Sequence, residues 1–242
     1  MARIATYSRP RSIDEALELA EADRAVVVGG GVTLRARPVD AEADAVDLQS
    51  LGLDGIERID DRTVRIGATA TLHDIAESDA LPQALRSSAR REQPSTLRHQ
   101  ATLGGLVATG SFDSELLAVL LVHDAVVSLL SRAGDEEVGL GELLRQLPLR
   151  AGRLVVSVTV STSGLSTLAR TARTGADRAI VAAAARRDGD GRRLLALCGV
   201  ATVPVLVESL DELAPPADFR GSSEYRRALA GVLSARVLKE VS

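Results

Sequence analysis

The hydrophobic and polar positions of this chain fall into short blocks whose period changes repeatedly. Tyr7-Ser8-Arg9-Pro10 reads as an extended lead-in, because the residue before proline is pushed away from helix. Ser12 with Glu15 has the spacing of a capping box, and Ala16, Leu17, Leu19 and Ala20 give the helix that follows its apolar face. Residues 24–28 form a β-branched run that feeds three glycines, the pattern of a buried strand entering a tight loop. Residues 45–48 predict another short strand, and 56–59 with 63–66 a hairpin turning at Asp60-Asp61-Arg62. Thr71 predicts a helix cap with Asp74 adding charge in the first turn, and 82–91 a further helix. Residues 102–111 read as a second glycine-rich loop, 114–122 as a strongly apolar helix and 126–130 as a strand.

The pattern changes around Pro148 to Gly152, which predicts a boundary there, with one unit at 1–150 (subdomains about 1–50 and 51–150) and another at 151–242. Residues 154–160 then open the second unit as a strand, 177–187 are alanine-rich and fit helix or strand, and 194–207 read as one strand. The final helix starts near Ser223, with Leu229, Val232, Leu233 and Val237 on one face. Strands and short helices around two glycine stretches, followed by a smaller sheet-and-helix module, make the expected class α+β.

The glycine stretches are the candidate chemistry. Glycine lets main-chain N–H groups approach a ligand closely and point the same way, so two such loops brought together suit a diphosphate. A nucleotide-binding Rossmann turn needs G-x-G-x-x-G entering a helix. Here Gly29 and Gly31 are present, but Leu34 stands where the third glycine belongs and Pro38 follows closely. Neither G-x-S-x-G nor G-x-x-x-x-G-K-[ST] occurs, which argues against an α/β-hydrolase and a P-loop enzyme. His73, His99 and His123 lack ligand spacing, so no metal site is expected, and His123-Asp124 at the end of an apolar helix reads as structural. No catalytic residue is expected. A chain with no self-sufficient acid–base site fits a bound cofactor that carries the reaction.

Composition narrows the partners. The 242 residues carry a formal net charge of −4, which leaves no electrostatic footprint for nucleic acid. Cys198 is the only cysteine, so this chain has no thiolate set for an iron–sulfur cluster or structural zinc. The N-terminus lacks the apolar core of a signal peptide, and the apolar runs at 116–130 and 194–207 are too short or too polar to span a bilayer. A cytoplasmic location is expected.

Two segments carry a family resemblance. Gly29-Gly30-Gly31-Val32-Thr33-Leu34 resembles the first flavin loop of the FAD-binding medium subunits of molybdenum hydroxylases, the carbon monoxide dehydrogenase and xanthine dehydrogenase-like enzymes. Residues 97–111, with Thr102-Leu103-Gly104-Gly105 at their centre, resemble the second and more diagnostic loop. The flanks agree in order: Tyr7-Ser8-Arg9-Pro10, Ile66-Gly67-Ala68-Thr69-Ala70-Thr71, 116–125, and in the second half 173–181 and 225–233. The likeness spans nearly the whole chain.

This resemblance implies a two-subdomain FAD-binding domain of the molybdopterin dehydrogenase (PCMH) type and a smaller C-terminal domain. It assigns FAD contacts to Val28, Gly29, Gly30, Gly31, Val32, Thr33, Leu34, Thr102, Leu103, Gly104, Gly105, Leu106 and Ala108. Ser111 and Glu115 would meet the flavin half, and Leu154 would pack on the isoalloxazine. It further implies [2Fe–2S] clusters on a small partner subunit, the molybdopterin cofactor on a large one, and a dimer of heterotrimers. Electrons would pass from the clusters through FAD to an external acceptor. Leu106 stands where the family has asparagine or aspartate, His99 replaces an asparagine, Phe112 a proline and Glu115 an aspartate. Two other roles remain in view: a structural subunit that has kept the fold without the flavin, and a free-standing flavin oxidase.

Overall fold

A computed structural model describes residues 3–32 and 42–242. Its strands form three sheets. The first is parallel, with β1 (Arg3–Ser8) and β2 (Ala25–Val28) flanking β3 (Glu42–Asp47). Helix α1 (Ile13–Ala20) buries Ala16, Leu17 and Ala20 against Val46 and Leu48. Ser12 caps it by accepting from the Glu15 N–H, but the box does not close: the Glu15 carboxylate accepts from the Arg11 N–H instead, at 2.8 Å.

The second sheet is antiparallel and five-stranded, in the order β4 (Ile56–Asp60), β5 (Thr63–Gly67), β8 (Leu154–Ser161), β6 (Val126–Ser131) and β7 (Gly134–Gly139). The expected hairpin is β4–β5. Strand β8 does not open the second unit as expected. It sits in the middle of this sheet, with Thr63 opposite Ser161 on one side and Val126 opposite Thr159 on the other. A cut at 150/151 would therefore split the sheet, and the change of sheet falls between Ser161 and Leu165.

Six helices accompany this sheet: α2 (Leu72–Glu77), α3 (Gln83–Glu92), α4 (Ser95–Arg98), α5 (Leu103–Thr109), α6 (Glu115–Val122) and α7 (Leu140–Arg145). Thr71 and Asp74 close a full capping box on α2. All eight residues of α6 are buried, capped by the Ser114 hydroxyl, because it lies between the second sheet's helices and the third sheet. The stretch read as a loop at 102–111 is a correction: most of it is α5, which Thr102 starts by accepting from the Gly105 N–H and Gly110 ends in a left-handed turn at φ 60°.

The third sheet, in the order β12-β11-β10-β9, holds β9 (Leu165–Thr171), β10 (Val181–Arg187), β11 (Arg193–Cys198) and β12 (Val205–Leu206). Helix α8 (Ser223–Glu240) covers one face. The alanine-rich segment is strand β10. Ala182 and Ala184 face the core that includes α6, and Ala183 and Ala185 face α8, so small side chains let helices approach from both sides. The expected single strand at 194–207 breaks into β11 and β12, with Gly199 at φ +81° between them. On α8, Leu233 and Val237 are buried and Leu229 half-buried, but Val232 is 60% exposed and lies outside the apolar face assigned to it. No helix among the described residues is long and apolar enough to cross a membrane.

Candidate functional site: a cleft between the first two sheets

The two glycine stretches meet. A Cβ on Gly29 would fall 2.3 Å from Thr102 Oγ1, and one on Gly30 only 1.5 Å from the Gln100 carbonyl oxygen. Only glycine allows this approach, which lays the end of β2 against the start of α5. Gly31 adds a left-handed φ of +73°. Among the described residues the N–H groups of Gly30, Gly31 and Val32 have no protein acceptor. Thr33 and Leu34 lie outside the described residues.

The second stretch is different. Leu103 N–H donates to Ala70 O at 3.0 Å, Gly104 N–H to Ala68 O at 2.8 Å, and Leu106 N–H to Thr102 O at 3.0 Å. Gly105 N–H is held by Thr102 Oγ1 at 3.3 Å. Gly104 is required for packing, since a Cβ there would sit 2.9 Å from that of Ala68. The second stretch thus lends the site its surface while its N–H groups are spent inside the fold. Leu103 and Leu106 turn their side chains into the main core.

A small cleft of about 70 Å³ opens at this junction. Gly29, Thr102, Gly104, Gly105 and Ala108 line it, with Val27, Leu48, Leu149 and Val155 as apolar walls and Thr69 and Arg153 as polar ones. Thr69 Oγ1 is buried without a hydrogen-bond partner. Such an orphan is costly in a closed core and is explained by a ligand that reaches it. Sequence reasoning missed Arg153, Val155 and Leu149, because nothing local shows that the start of β8 returns beside β2. Thr69 lay within a flank the family resemblance did use.

Besides Leu103 and Leu106, the contacts expected at the flavin half lie elsewhere. Leu154 is fully buried against Ala16, Leu17 and Leu48; strand alternation turns its neighbour Val155 to the cleft instead. Ser111 Oγ donates to Asp113 at 2.9 Å. Glu115, 3% exposed, accepts from Arg91 Nε at 3.0 Å and from Arg170 Nε at 2.6 Å, so it ties α3 and β9 to α6.

Glu115 borders a seam of buried charge between the second and third sheets. Glu92 pairs with Arg178 at 2.7 Å, Arg178 with Asp113 at 3.0 Å, Asp113 with Arg220 at 2.8 Å, Arg220 with Asp218 at 3.2 Å, and Asp218 with Arg226 at 2.6 Å. Burial pushes the Glu92 carboxyl up, against the pull of Arg178. Burial also acts to raise Asp218, but hydrogen bonds from Arg226, the Arg220 backbone and the Arg220 side chain outweigh it and hold the group down at about 2. Cys198 is buried beside the seam, and burial together with Glu115 and Glu92 keeps its thiol protonated. At the far end of α6, His123 Nδ1 meets Ser161 O at 2.6 Å and Nε2 meets Ser166 Oγ at 3.0 Å. Burial lowers it to about 4, so the ring is neutral and structural. His73 and His99 stack with ring centroids 3.9 Å apart. No group of three or more His, Cys, Asp or Glu converges on a metal position among the described residues.

An α+β chain whose cleft is built from a glycine run, orphaned donors and apolar walls is that of a nucleotide-cofactor protein. The model of the FAD binding domain in molybdopterin dehydrogenase matches residues 2–162, ending where β8 ends. The chain belongs to this family. It is 31% identical to the uncharacterised protein YgfM of Escherichia coli (strain K12), over 96% of this chain and 94% of that one. It is 25% identical to the glyceraldehyde dehydrogenase medium chain of Sulfolobus acidocaldarius, over 98% of each. In fold it matches the carbon monoxide dehydrogenase from Hydrogenophaga pseudoflava with a TM-score of 0.90 at 22% identity, covering 100% of this chain and 98% of that chain. The fold class and the oxidoreductase family expected from the sequence therefore stand. The cleft also fits the cofactor: the Arg153 guanidinium and the Thr69 hydroxyl suit phosphate oxygens, and the apolar walls suit aromatic rings.

Proposed function

We propose that this chain is the FAD-carrying electron-transfer subunit of a multi-subunit molybdenum hydroxylase. The observation that carries the reading is the cleft at the β2–α5 junction, which Gly29 lines together with the orphaned Thr69 hydroxyl, and from which Gly30, Gly31 and Val32 lead on with N–H groups that have no acceptor among the described residues. The N–H groups would hold the diphosphate, and Thr69 would satisfy its hydroxyl on the bound nucleotide. Val27, Leu48, Leu149 and Val155 would exclude water from its rings. When bound, FAD supplies the means to take up electrons from one redox partner and deliver them to another. The chain's own part is binding, orientation and dielectric. The clusters and the molybdopterin cofactor belong to a small and a large partner subunit in this reading, within a dimer of heterotrimers. One buried cysteine on this chain agrees with that division.

The engaged N–H groups of 103–106 and the apolar Leu106 favour a second reading, a structural subunit without flavin. The visible spectrum of the chain purified with its partner subunits separates the two. One FAD per chain is the expected result. A colourless complex that takes up no added FAD would overturn the flavin reading, and substrate turnover by the isolated flavoprotein would replace it with a free-standing oxidase.

A further inference from the structure

Arg153 differs from the other well-buried arginines. Arg186 spreads its N–H groups over Ser163 O, Val122 O, Asp124 and Ser161 Oγ, and Arg226 over Ile180 O, Gly199 O and Asp218. The Arg153 side chain is less enclosed, at 17% exposure against 2% for Arg186 and 0% for Arg226, and among the described residues it is bonded to Glu136 alone, through one terminal nitrogen. Glu136 is itself 53% exposed, at the rim. The remaining guanidinium donors are open, on a side chain that lines the cleft and is the only charged one among its described lining residues.

A diphosphate needs more than dipoles when half of the nearby N–H groups are already used. The first turn of α5 has none left to give, so the formal positive charge has to come from a side chain. We infer that Arg153 is the phosphate-recognising residue of the cleft, and that it makes the site select phosphorylated flavins over riboflavin. The inference rests on the flavin reading given above. A planar guanidinium with open N–H groups suits a phosphate oxygen pair, and its bond strengthens where water is excluded. Glu136 neutralises the guanidinium before the ligand arrives and competes with the phosphate for it.

Flavin-fluorescence titrations of the flavin-stripped complex test this with FAD and riboflavin. Arg153→Gln is expected to weaken FAD by about 10- to 100-fold, the range for losing one charge-assisted bond, and to leave riboflavin unchanged. Arg153→Lys keeps the charge and should recover part of the loss. Glu136→Gln removes the competitor and should tighten FAD, a gain that no misfolded variant can imitate. Equal losses for FAD and riboflavin in Arg153→Gln, or unaltered FAD binding, would overturn the inference while leaving the flavin reading intact. Weaker FAD binding in Glu136→Gln would also overturn it. A wild-type complex that binds neither flavin would overturn the flavin reading and this inference with it.

Discussion

In the cleft one arginine faces apolar walls and unpartnered donors, whereas in the seam six charged side chains alternate in sign from Glu92 to Arg226. Buried ion pairs contribute little net stability, but they resist rearrangement, since breaking one strands its partner. The seam therefore fixes how the third sheet sits on α3 and α6. The cleft leaves its donors open for a ligand. Charge paired with opposite charge along a buried chain of ion pairs holds architecture, and a single charge lining a cleft marks recognition.

Glu115 tests that division most severely, because the family resemblance places it in the cofactor site and the structure ties it to Arg91 and Arg170 beside the seam. Glu115→Ala strands Arg91 and Arg170 and is expected to cost about 4 kcal/mol in urea unfolding. FAD affinity per folded molecule should stay unchanged, and a selective fall in it would return Glu115 to the cleft. Gly30→Val should act in the opposite sense. Its side chain would strike the Gln100 carbonyl, force β2 away from α5, and weaken FAD by about 3 kcal/mol, a hundredfold or more. Normal flavin content in that variant would show that the runs need not touch.

His123 marks the end of α6 away from Glu115, and pH reads it out. The ring titrates at about 4 in the folded chain against 6.5 ordinarily, so the unfolded state binds the extra proton first. Stability is full above pH 6.5 and declines as pH falls through 4, by roughly 3 kcal/mol in all. In His123→Gln that slope should be absent, and an unchanged slope would assign it to another group held below its ordinary pKa in the fold. The smallest effect belongs to Gly105→Ala. Its Cβ would lie 3.3 Å from Thr102 Oγ1, so stability should shift by only about 0.5 kcal/mol, while the added methyl enters the cleft and lowers FAD affinity. Equal affinity in the alanine variant would move the ligand away from α5.

What was legible in the sequence was whatever is decided locally. The caps at Ser12 and Thr71 each lie three residues from the N–H they serve. Helix α5 was hidden because adjacent glycines lower helix propensity, and its start depends on Ala68 and Ala70, which are distant in sequence. Strand β10 was ambiguous because alanine favours helix, and only β9 and β11 on either side resolve it. In the site, the glycine runs could be found by composition. Arg153 and Thr69 could not, since a lining residue is defined by which strands meet. Glu115 sits in an apolar helix, and no local pattern shows two arginines reaching it from α3 and β9.

Strand β8 has a consequence for how the chain is made. It lies between β5 and β6, with Leu154 and Val156 packed towards α1 and Val155, Val158 and Val160 towards the main core. During synthesis the β4–β5 hairpin and then the β6–β7 hairpin leave the ribosome before it, each with an open edge where β8 belongs. The sheet closes, and the cleft gains Arg153 and Val155, only when this late strand inserts between the two early ones. A gene fragment ending near residue 150 would therefore encode two hairpins with mutually sticky edges, whereas one ending just past Ser161 would encode the completed sheet.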